Sequence, residues 1–205
     1  MRQVRVISRK GSGVLEVKVI PPAIGHYLAG FADGEGSFNV SFRPRDDYRQ
    51  PWKVSLCFNI SQKDKVILAL FKRQLKCGTL RSRPDGVWYY EVNNLTSLVE
   101  NVIPFFERFH FLSAKKKRDF AKFKSLAKII REGRHRDRQG IEEILAIRRG
   151  MNDRERRRYT DEMILARFEN PQRLYARPGN GMRQSELHGD VQSAAEMTAP
   201  AREGE

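Results

Sequence analysis

Two stretches of alternating residues stand out in the first third of the chain. Apolar and polar side chains alternate over residues 37–45 and again over residues 52–61. A period of two is typical of a β-strand with one buried face and one polar face. The polar segment 46–51 between them has the composition of a turn. The pattern therefore predicts an antiparallel hairpin.

Helical patterns surround this hairpin and a second one. Apolar residues at three- and four-residue spacing predict helices over residues 23–33, 63–75, 95–106 and 114–131, and shorter ones over residues 139–149 and 159–168. The segments 77–83 and 87–93 predict strands around the turn Pro84-Asp85-Gly86. The order predicts an α+β fold, an αββαββα core whose antiparallel sheet has one face covered by helices, with added C-terminal helices.

This order also predicts the domain organisation. We expect an N-terminal arm over residues 1–20 and one folded domain over residues 21–175, with its core at 22–131 and added helices at 139–170. From residue 176 to 205 Gly, Ser, Gln, Glu and Ala dominate, which indicates a disordered tail. A length of 205 residues fits one well-packed domain with tails.

The charge balance points to a polyanionic partner. The chain has 39 Lys and Arg against 25 Asp and Glu, a formal net charge of +14, and such a field attracts nucleic acid. A basic but inert surface is the alternative. An anionic membrane ranks lower because no long apolar run is present. The alternating N-terminal segment is unlike a signal peptide, so we expect an intracellular protein, of bacterial cytoplasm or an organelle.

Cysteine and histidine usage does not indicate a zinc site. Cys57 and Cys77 cannot supply four ligands, and the four histidines are scattered along the chain. We expect both cysteines to be reduced.

The polar face of the predicted sheet is the candidate surface for base recognition. An antiparallel ribbon fits the DNA major groove, where Arg reads guanine and Asn reads adenine. An ordinary solvated face is the alternative. The candidates are Ser37, Asn39, Ser41, Arg43, Arg45, Lys53, Ser55, Asn59, Arg81, Arg83, Tyr89 and Glu91. A basic run over residues 115–138, including Lys115 and Lys117, predicts phosphate contacts, although such a run is also typical of a solvated face.

Small residues recur along the first predicted helix. Gly25, Ala29 and Ala32, with Gly30 one step round, allow a second helix to approach closely. If two copies pair in this way, the acids Asp33 and Glu35 of both chains converge. Clustered carboxylates repel one another unless a divalent cation neutralises them.

The stretch from Leu28 to Gly36, LAGFADGEG, resembles the signature helix of the LAGLIDADG homing endonucleases position by position. The resemblance covers about residues 22–131. The motif occurs once here, as in the homodimeric members. The family's fold has a saddle-shaped antiparallel sheet, and its activity is double-strand DNA cleavage with Mg²⁺, or Mn²⁺ as a substitute. The resemblance implies that Glu35 is the metal-binding acid and that the Gly34 carbonyl is a second ligand.

The resemblance assigns three further roles. Asp33 is expected to cap the helix interface or bond the partner helix. Gln62 matches the polar residue that positions water, and Lys116 matches the lysine near the scissile phosphate, with Lys115 and Lys117 as neighbours of the same chemistry. An RNA maturase that binds intron RNA, or a DNA-binding regulator with an inactive core, are the alternatives. The intact acid at Glu35 favours the nuclease.

Overall fold

The computed structural model describes residues 19–45, 50–151 and 158–169. The expected tail and most of the expected N-terminal arm lie outside the described residues. Seven α-helices are present in the described part: α1 Pro22–Glu35, α2 Lys65–Leu75, α3 Leu95–Ser97, α4 Ile103–Arg108, α5 Ala114–Arg131, α6 Arg138–Arg149 and α7 Asp161–Glu169. The strands are β1 Gly36–Pro44, β2 Trp52–Gln62, β3 Thr79–Ser82 and β4 Trp88–Val92.

The four strands form one antiparallel sheet in the order β1-β2-β4-β3. Both predicted hairpins are present, and β2 joins them by pairing with β4. In the register, Ser37 lies opposite Asn59, and Asn59 lies opposite Glu91. Polar residues of neighbouring strands therefore share one face, and the predicted α+β fold class is confirmed.

Side-chain caps explain where several helices begin. Asp64 accepts a 2.8 Å hydrogen bond from the Val66 amide at the start of α2, and Asp137 accepts one of 2.7 Å from the Gly140 amide at the start of α6. Ser113 caps α5 by accepting from the Lys116 amide. Each cap satisfies an amide that has no partner within the helix.

The motif helix α1 is longer than the sequence pattern predicts. It continues through Gly34 and ends at Glu35, and the chain becomes extended at Gly36. A Cβ atom at Gly36 would lie 2.6 Å from the Ala32 carbonyl oxygen, so only glycine fits where the chain passes directly into β1. At Gly34, such an atom would have no neighbour within 4 Å in the part of the chain that the structure describes. Gly36, the second of the two glycines, is therefore the residue that ends the helix.

The predicted helix 95–106 is divided by a π-helical turn. This turn, Leu98–Val102, lies between α3 and α4, and Pro104 follows it. Proline has no amide hydrogen, and its ring clashes with the carbonyl four residues earlier in an α-helix, so the wider turn accommodates it.

A cluster of phenylalanines fills the space between the sheet and the helices. The Phe38 ring of β1 lies 5.2 Å from that of Phe58 and 4.8 Å from that of Phe123 on α5. All three side chains are buried. Because this packing covers the apolar face of the sheet, the opposite face, with its polar side chains, is left open.

The added helices pack against the far end of the first hairpin. Trp52 at the start of β2 donates a 2.9 Å hydrogen bond from Nε1 to the Ile164 carbonyl of α7, and the Tyr159 ring contacts it edge-on. Ile141, Ile144 and Ile164 are buried. In the described residues, α6 and α7 thus contribute buried side chains to the same core as the sheet.

Candidate catalytic cavity and nucleic-acid interface

A cavity of about 830 Å³ opens where α1 passes into β1. It is bounded by the end of α1, the start of α5, strands β1 and β2, and one residue of α6. Its walls are predominantly polar and charged. The side chains that line it include Asp33, Glu35, Ser37, Asn39, Asn59, Ser61, Lys115, Lys116, Asp119 and Arg148.

Glu35 is the last residue of α1 and borders this cavity with an exposed side chain. The C-terminal end of a helix carries partial negative charge, which adds to that of Glu35 and Asp33. Carboxylate and carbonyl oxygens are the ligands that Mg²⁺ prefers, so the side chain of Glu35 and the carbonyl of Gly34 fit this ion. No group of three His, Cys, Asp or Glu residues in the described part could hold a metal.

Asp33 binds its own chain at the start of α5. Its carboxylate accepts hydrogen bonds from the Leu112 amide at 3.0 Å, from the Ser113 amide at 2.8 Å and from the Ser113 hydroxyl. Burial raises the pKa of Asp33, but these hydrogen bonds outweigh it, so the pKa lies below its ordinary value. The resemblance implied that Asp33 caps the helix interface or bonds the partner helix. The structure instead assigns it to the junction of α1 with α5.

Lys116 lies in the first turn of α5, and its ammonium donates a hydrogen bond to the Gly36 carbonyl. Burial lowers the pKa of Lys116, and the nearby carboxylates of Asp119, Asp33 and Glu35 partly offset this. Its neighbour Lys115 also lines the cavity. Lys117 instead borders an apolar groove between α4 and α5. Lys116 is thus held in contact with the motif.

Gln62 is placed differently from the sequence expectation. It ends β2, and its side-chain oxygen accepts a 2.9 Å hydrogen bond from the Lys63 amide. Ser61, the preceding residue, borders the cavity. Because successive strand residues face opposite sides, the two side chains point apart. This geometry does not support the water-positioning role assigned to Gln62. Of the two residues, Ser61 is the polar group that borders the cavity.

Three of the five residues assigned to a helix interface belong to the chain's own core. Ala29 and Ala32 are fully buried, and a Cβ atom at Gly25 would lie 2.2 Å from the Phe109 ring. At Gly30, no other described residue comes within 4 Å of such an atom. The open face of α1 therefore contains Gly30, with exposed Tyr27 and Gly34 at helical spacing. The small residues serve packing within the chain on one side and leave the other side free.

The polar sheet face matches its predicted composition. Arg81 of β3 forms a salt bridge with Glu91 of β4, and its guanidinium lies 5.9 Å from the centre of the Tyr89 ring. Asn39 donates a 3.1 Å hydrogen bond to Ser37. The Arg81 side chain is 57% exposed, whereas that of Glu91 is 13% exposed. Glu91 therefore fixes Arg81 from within the sheet and leaves the arginine accessible.

Much of the basic run is engaged within the protein. Lys122 donates a hydrogen bond to the Gly150 carbonyl, and Lys124 pairs with Glu107 at 3.0 Å. Arg134 pairs with Glu132 and Glu143. These contacts join α5 to its neighbours. Of the lysines predicted to bind phosphate, Lys115 and Lys117 are exposed at the cavity end of α5.

Two charged residues of the cavity, Asp119 and Arg148, had no predicted site role. Asp119 lies three residues after Lys116 on α5, and helical spacing could have placed it on the same side. Arg148 comes from α6, far along the chain, and no local pattern connects it to the motif. Both side chains are largely buried.

Two other expectations concern cysteines and membranes. Cys57 and Cys77 are free, and burial raises the pKa of both thiols, that of Cys77 to about 11. Neither is a reactive thiolate near neutral pH.

Within the described residues, no helix has the length and apolar character to cross a membrane.

The sequence profile of the family "LAGLIDADG endonuclease" matches residues 28–127. The chain is 30% identical to "Probable intron-encoded endonuclease 2" of Neurospora crassa over 62% of this chain and 28% of that protein. It is also 30% identical to "Homing endonuclease I-ApeII" of Aeropyrum pernix, over 54% of this chain and 66% of that one. The chain spans about a third or less of the first two curated relatives that it matches.

Solved structures share the fold. The archaeal intron-encoded homing endonuclease I-Vdi141I, solved in complex with DNA, superposes with a TM-score of 0.64 and 25% identity, over 71% of this chain and 94% of that one. With the motif helix and the sheet topology, these matches show that the chain belongs to the LAGLIDADG homing endonuclease family.

Proposed function

We propose that the protein is a site-specific DNA endonuclease that cuts both strands of a long, pseudo-palindromic target as a homodimer. The observation that carries this proposal is the position of Glu35. Its carboxylate lies at the end of the motif helix, on a cavity that also contains Lys116 and is bounded by the polar residues of β1 and β2. A carboxylate, a lysine and polar residues of the sheet are thus adjacent.

Each residue has a distinct task in this proposal. Glu35 and the Gly34 carbonyl would hold Mg²⁺, which activates water and stabilises the charge on the scissile phosphate. Lys116 brings positive charge beside that phosphate, and its bond to Gly36 fixes its position relative to Glu35. Ser61 and Asn59 border the same space and can hold water or a phosphate oxygen by hydrogen bonds.

The number of carboxylates supports a homodimer. One chain brings one Glu35, and cleavage of two strands requires two such acids. The open face of α1 around Gly30 allows a second α1 to approach closely, because no side chain among the described residues occupies that space. Pairing there would place both cavities beside one two-fold axis.

Glu35→Gln tests the chemical step directly. The amide keeps the volume of the side chain but cannot balance the charge of Mg²⁺. We expect the variant to bind a duplex selected from a randomised library as tightly as wild type, while double-strand cutting is lost. The measurement is a gel shift and a cleavage assay on the same duplex with Mg²⁺, with Ca²⁺ and without metal.

Other outcomes would change the proposal. Cutting by the Glu35→Gln variant at the wild-type rate would remove Glu35 as the metal ligand. Loss of both binding and cutting would make it a structural residue. A wild type that binds the intron RNA tightly and leaves every duplex uncut, including the rejoined flanks of its own intron, would favour the maturase.

A further inference from the structure

Arg148 brings a positive charge to the cavity from a helix outside the part matched by the family. The family match ends at residue 127, whereas α6 covers Arg138–Arg149. Arg148 nevertheless lines the same cavity as Glu35 and Lys116. Its guanidinium lies 5.1 Å from the centre of the Phe42 ring, on the strand that forms one wall of the cavity. The added helix is therefore part of the candidate site as well as of the core.

The position of this guanidinium is set by α7. Nη1 of Arg148 lies 3.8 Å from Oδ1 of Asp161, and Nε of Arg149 lies 2.7 Å from Oδ2 of the same carboxylate. The side chains of Arg148 and Asp161 are 10% and 12% exposed. Two guanidinium groups, those of Arg148 and Arg149, thus share the carboxylate of Asp161. Phe42 packs against one side of Arg148 and Asp161 lies at one end, so its rotamer is restricted.

The chemistry of the cavity indicates what such a group would bind. Its other charged walls contain the acids Asp33, Glu35 and Asp119 and the bases Lys115 and Lys116. Arginine remains charged at every physiological pH and matches phosphate with two parallel N–H donors. A guanidinium that is fixed in a largely buried wall loses little entropy when it binds such an anion.

We propose that Arg148 binds a backbone phosphate of the DNA strand that enters the cavity, and that Asp161 orients it for this contact. This inference rests on the proposed function and adds to it a residue from the C-terminal helices. It implies that docking of α7 on Trp52, which places Asp161, is needed for efficient cutting.

Arg148→Gln and Arg149→Gln form a matched pair. Both remove one positive charge next to Asp161, but the Arg149 side chain is 65% exposed and lies outside the cavity. We expect Arg148→Gln to weaken binding of a library-selected duplex in Ca²⁺ equally for all sequences and to lower the slope of log affinity against log salt by about 0.9. In Mg²⁺, single-turnover cutting should fall about tenfold or more, the size of one charge-assisted hydrogen bond. Arg149→Gln should cut at nearly the wild-type rate.

Asp161→Asn separates positioning from charge. The variant removes a negative charge, so a purely electrostatic effect would strengthen DNA binding. We expect cutting to slow while affinity is maintained, with unchanged tryptophan fluorescence to show that α7 remains docked on Trp52. If Arg148→Gln does not fold, Asp161→Asn tests the role of Arg148 in its place.

The outcomes distinguish this inference from the proposed function. Wild type that cuts, together with Arg148→Gln that keeps the wild-type salt slope and rate, would overturn the role of Arg148 alone. Equal losses in the Arg148 and Arg149 variants would reduce that role to long-range charge and overturn the contact. A wild type that binds the selected duplex without cutting would contradict the nuclease, while its salt slope would still test the phosphate contact.

Discussion

Lys116 donates a hydrogen bond from its ammonium to the backbone carbonyl of Gly36. The contact ties the first turn of α5 to the residue where the motif helix passes into β1. It therefore holds the lysine at a fixed place relative to Glu35, the residue before Gly36. A flexible surface lysine would have no such constraint.

Lys116→Met should impair the chemical step more than binding. The variant keeps the length of the side chain but removes its charge from the cavity, so we expect a fall of about tenfold or more in single-turnover cutting, as for loss of a charge-assisted hydrogen bond. Lys117→Met is the control, because Lys117 borders a different groove. It should lower affinity slightly and leave the rate at saturation unchanged. A larger fall in cutting rate for Lys117→Met than for Lys116→Met would assign the role in the chemical step to Lys117.

Asp33→Asn should destabilise the fold in a manner that depends on pH. Hydrogen bonds from Ser113 and Leu112 favour the carboxylate and hold the pKa of Asp33 below the ordinary 3.8. The stability that it contributes is therefore complete above about pH 4 and is lost as pH falls through the lowered pKa. Urea unfolding of both proteins from pH 7 to pH 2 should show a difference in free energy that narrows only at the acidic end. A difference independent of pH would contradict the role of ionisation.

The sequence predicted the elements and the position of the acid better than it predicted side-chain directions. The alternation in β1 and β2 determines which residues are buried, and the motif places Glu35 at a helix end. The small residues of α1 do not by themselves show which side of the helix packs within the chain, because glycine and alanine permit close approach on any side of a helix. Only the position of Phe109 shows that Gly25 faces the chain's own core.

The same limit applies to residues brought together by tertiary packing. Gln62 and Ser61 are adjacent in sequence, and the strand pleat alone decides which of them faces the cavity. Arg148 reaches the cavity because α6 packs against α5 and β1. No spacing within the motif carries that information.

Gly30→Leu should separate assembly from folding. No atom of the described part of the chain lies within 4 Å of a Cβ atom at Gly30, so the isolated chain should remain folded. On the open face of α1 the larger side chain would hold two helices apart, and cutting should be lost. Sedimentation with the selected duplex should show two chains per duplex for wild type and fewer for the variant.

Gly25→Ala is the matched control for that experiment. Its Cβ atom would meet the Phe109 ring at 2.2 Å, so we expect the free energy of unfolding to fall by about 1–3 kcal/mol, as for overpacking of a core. If Gly25→Ala remains folded, it should still form the complex of two chains with one duplex. A wild type that is fully active as a strict monomer on DNA would contradict the dimer.

Arg81→Ala and Glu91→Gln should change which base pairs the protein prefers. Arg81 is exposed on the polar face and is held by the salt bridge to Glu91, so it presents its donors in one orientation. A bidentate contact from arginine to guanine is worth about 1–3 kcal/mol of discrimination, and Arg81→Ala should lose that amount at one base pair.

Glu91→Gln leaves the arginine in place but loosens it, so preference at the same base pair should weaken without disappearing. Library selection with each variant measures both effects, and Lys117→Ala should weaken all sequences alike. Equal losses across every sequence in the Arg81 variant would mean that this arginine contacts the backbone and that other residues of the sheet read the bases.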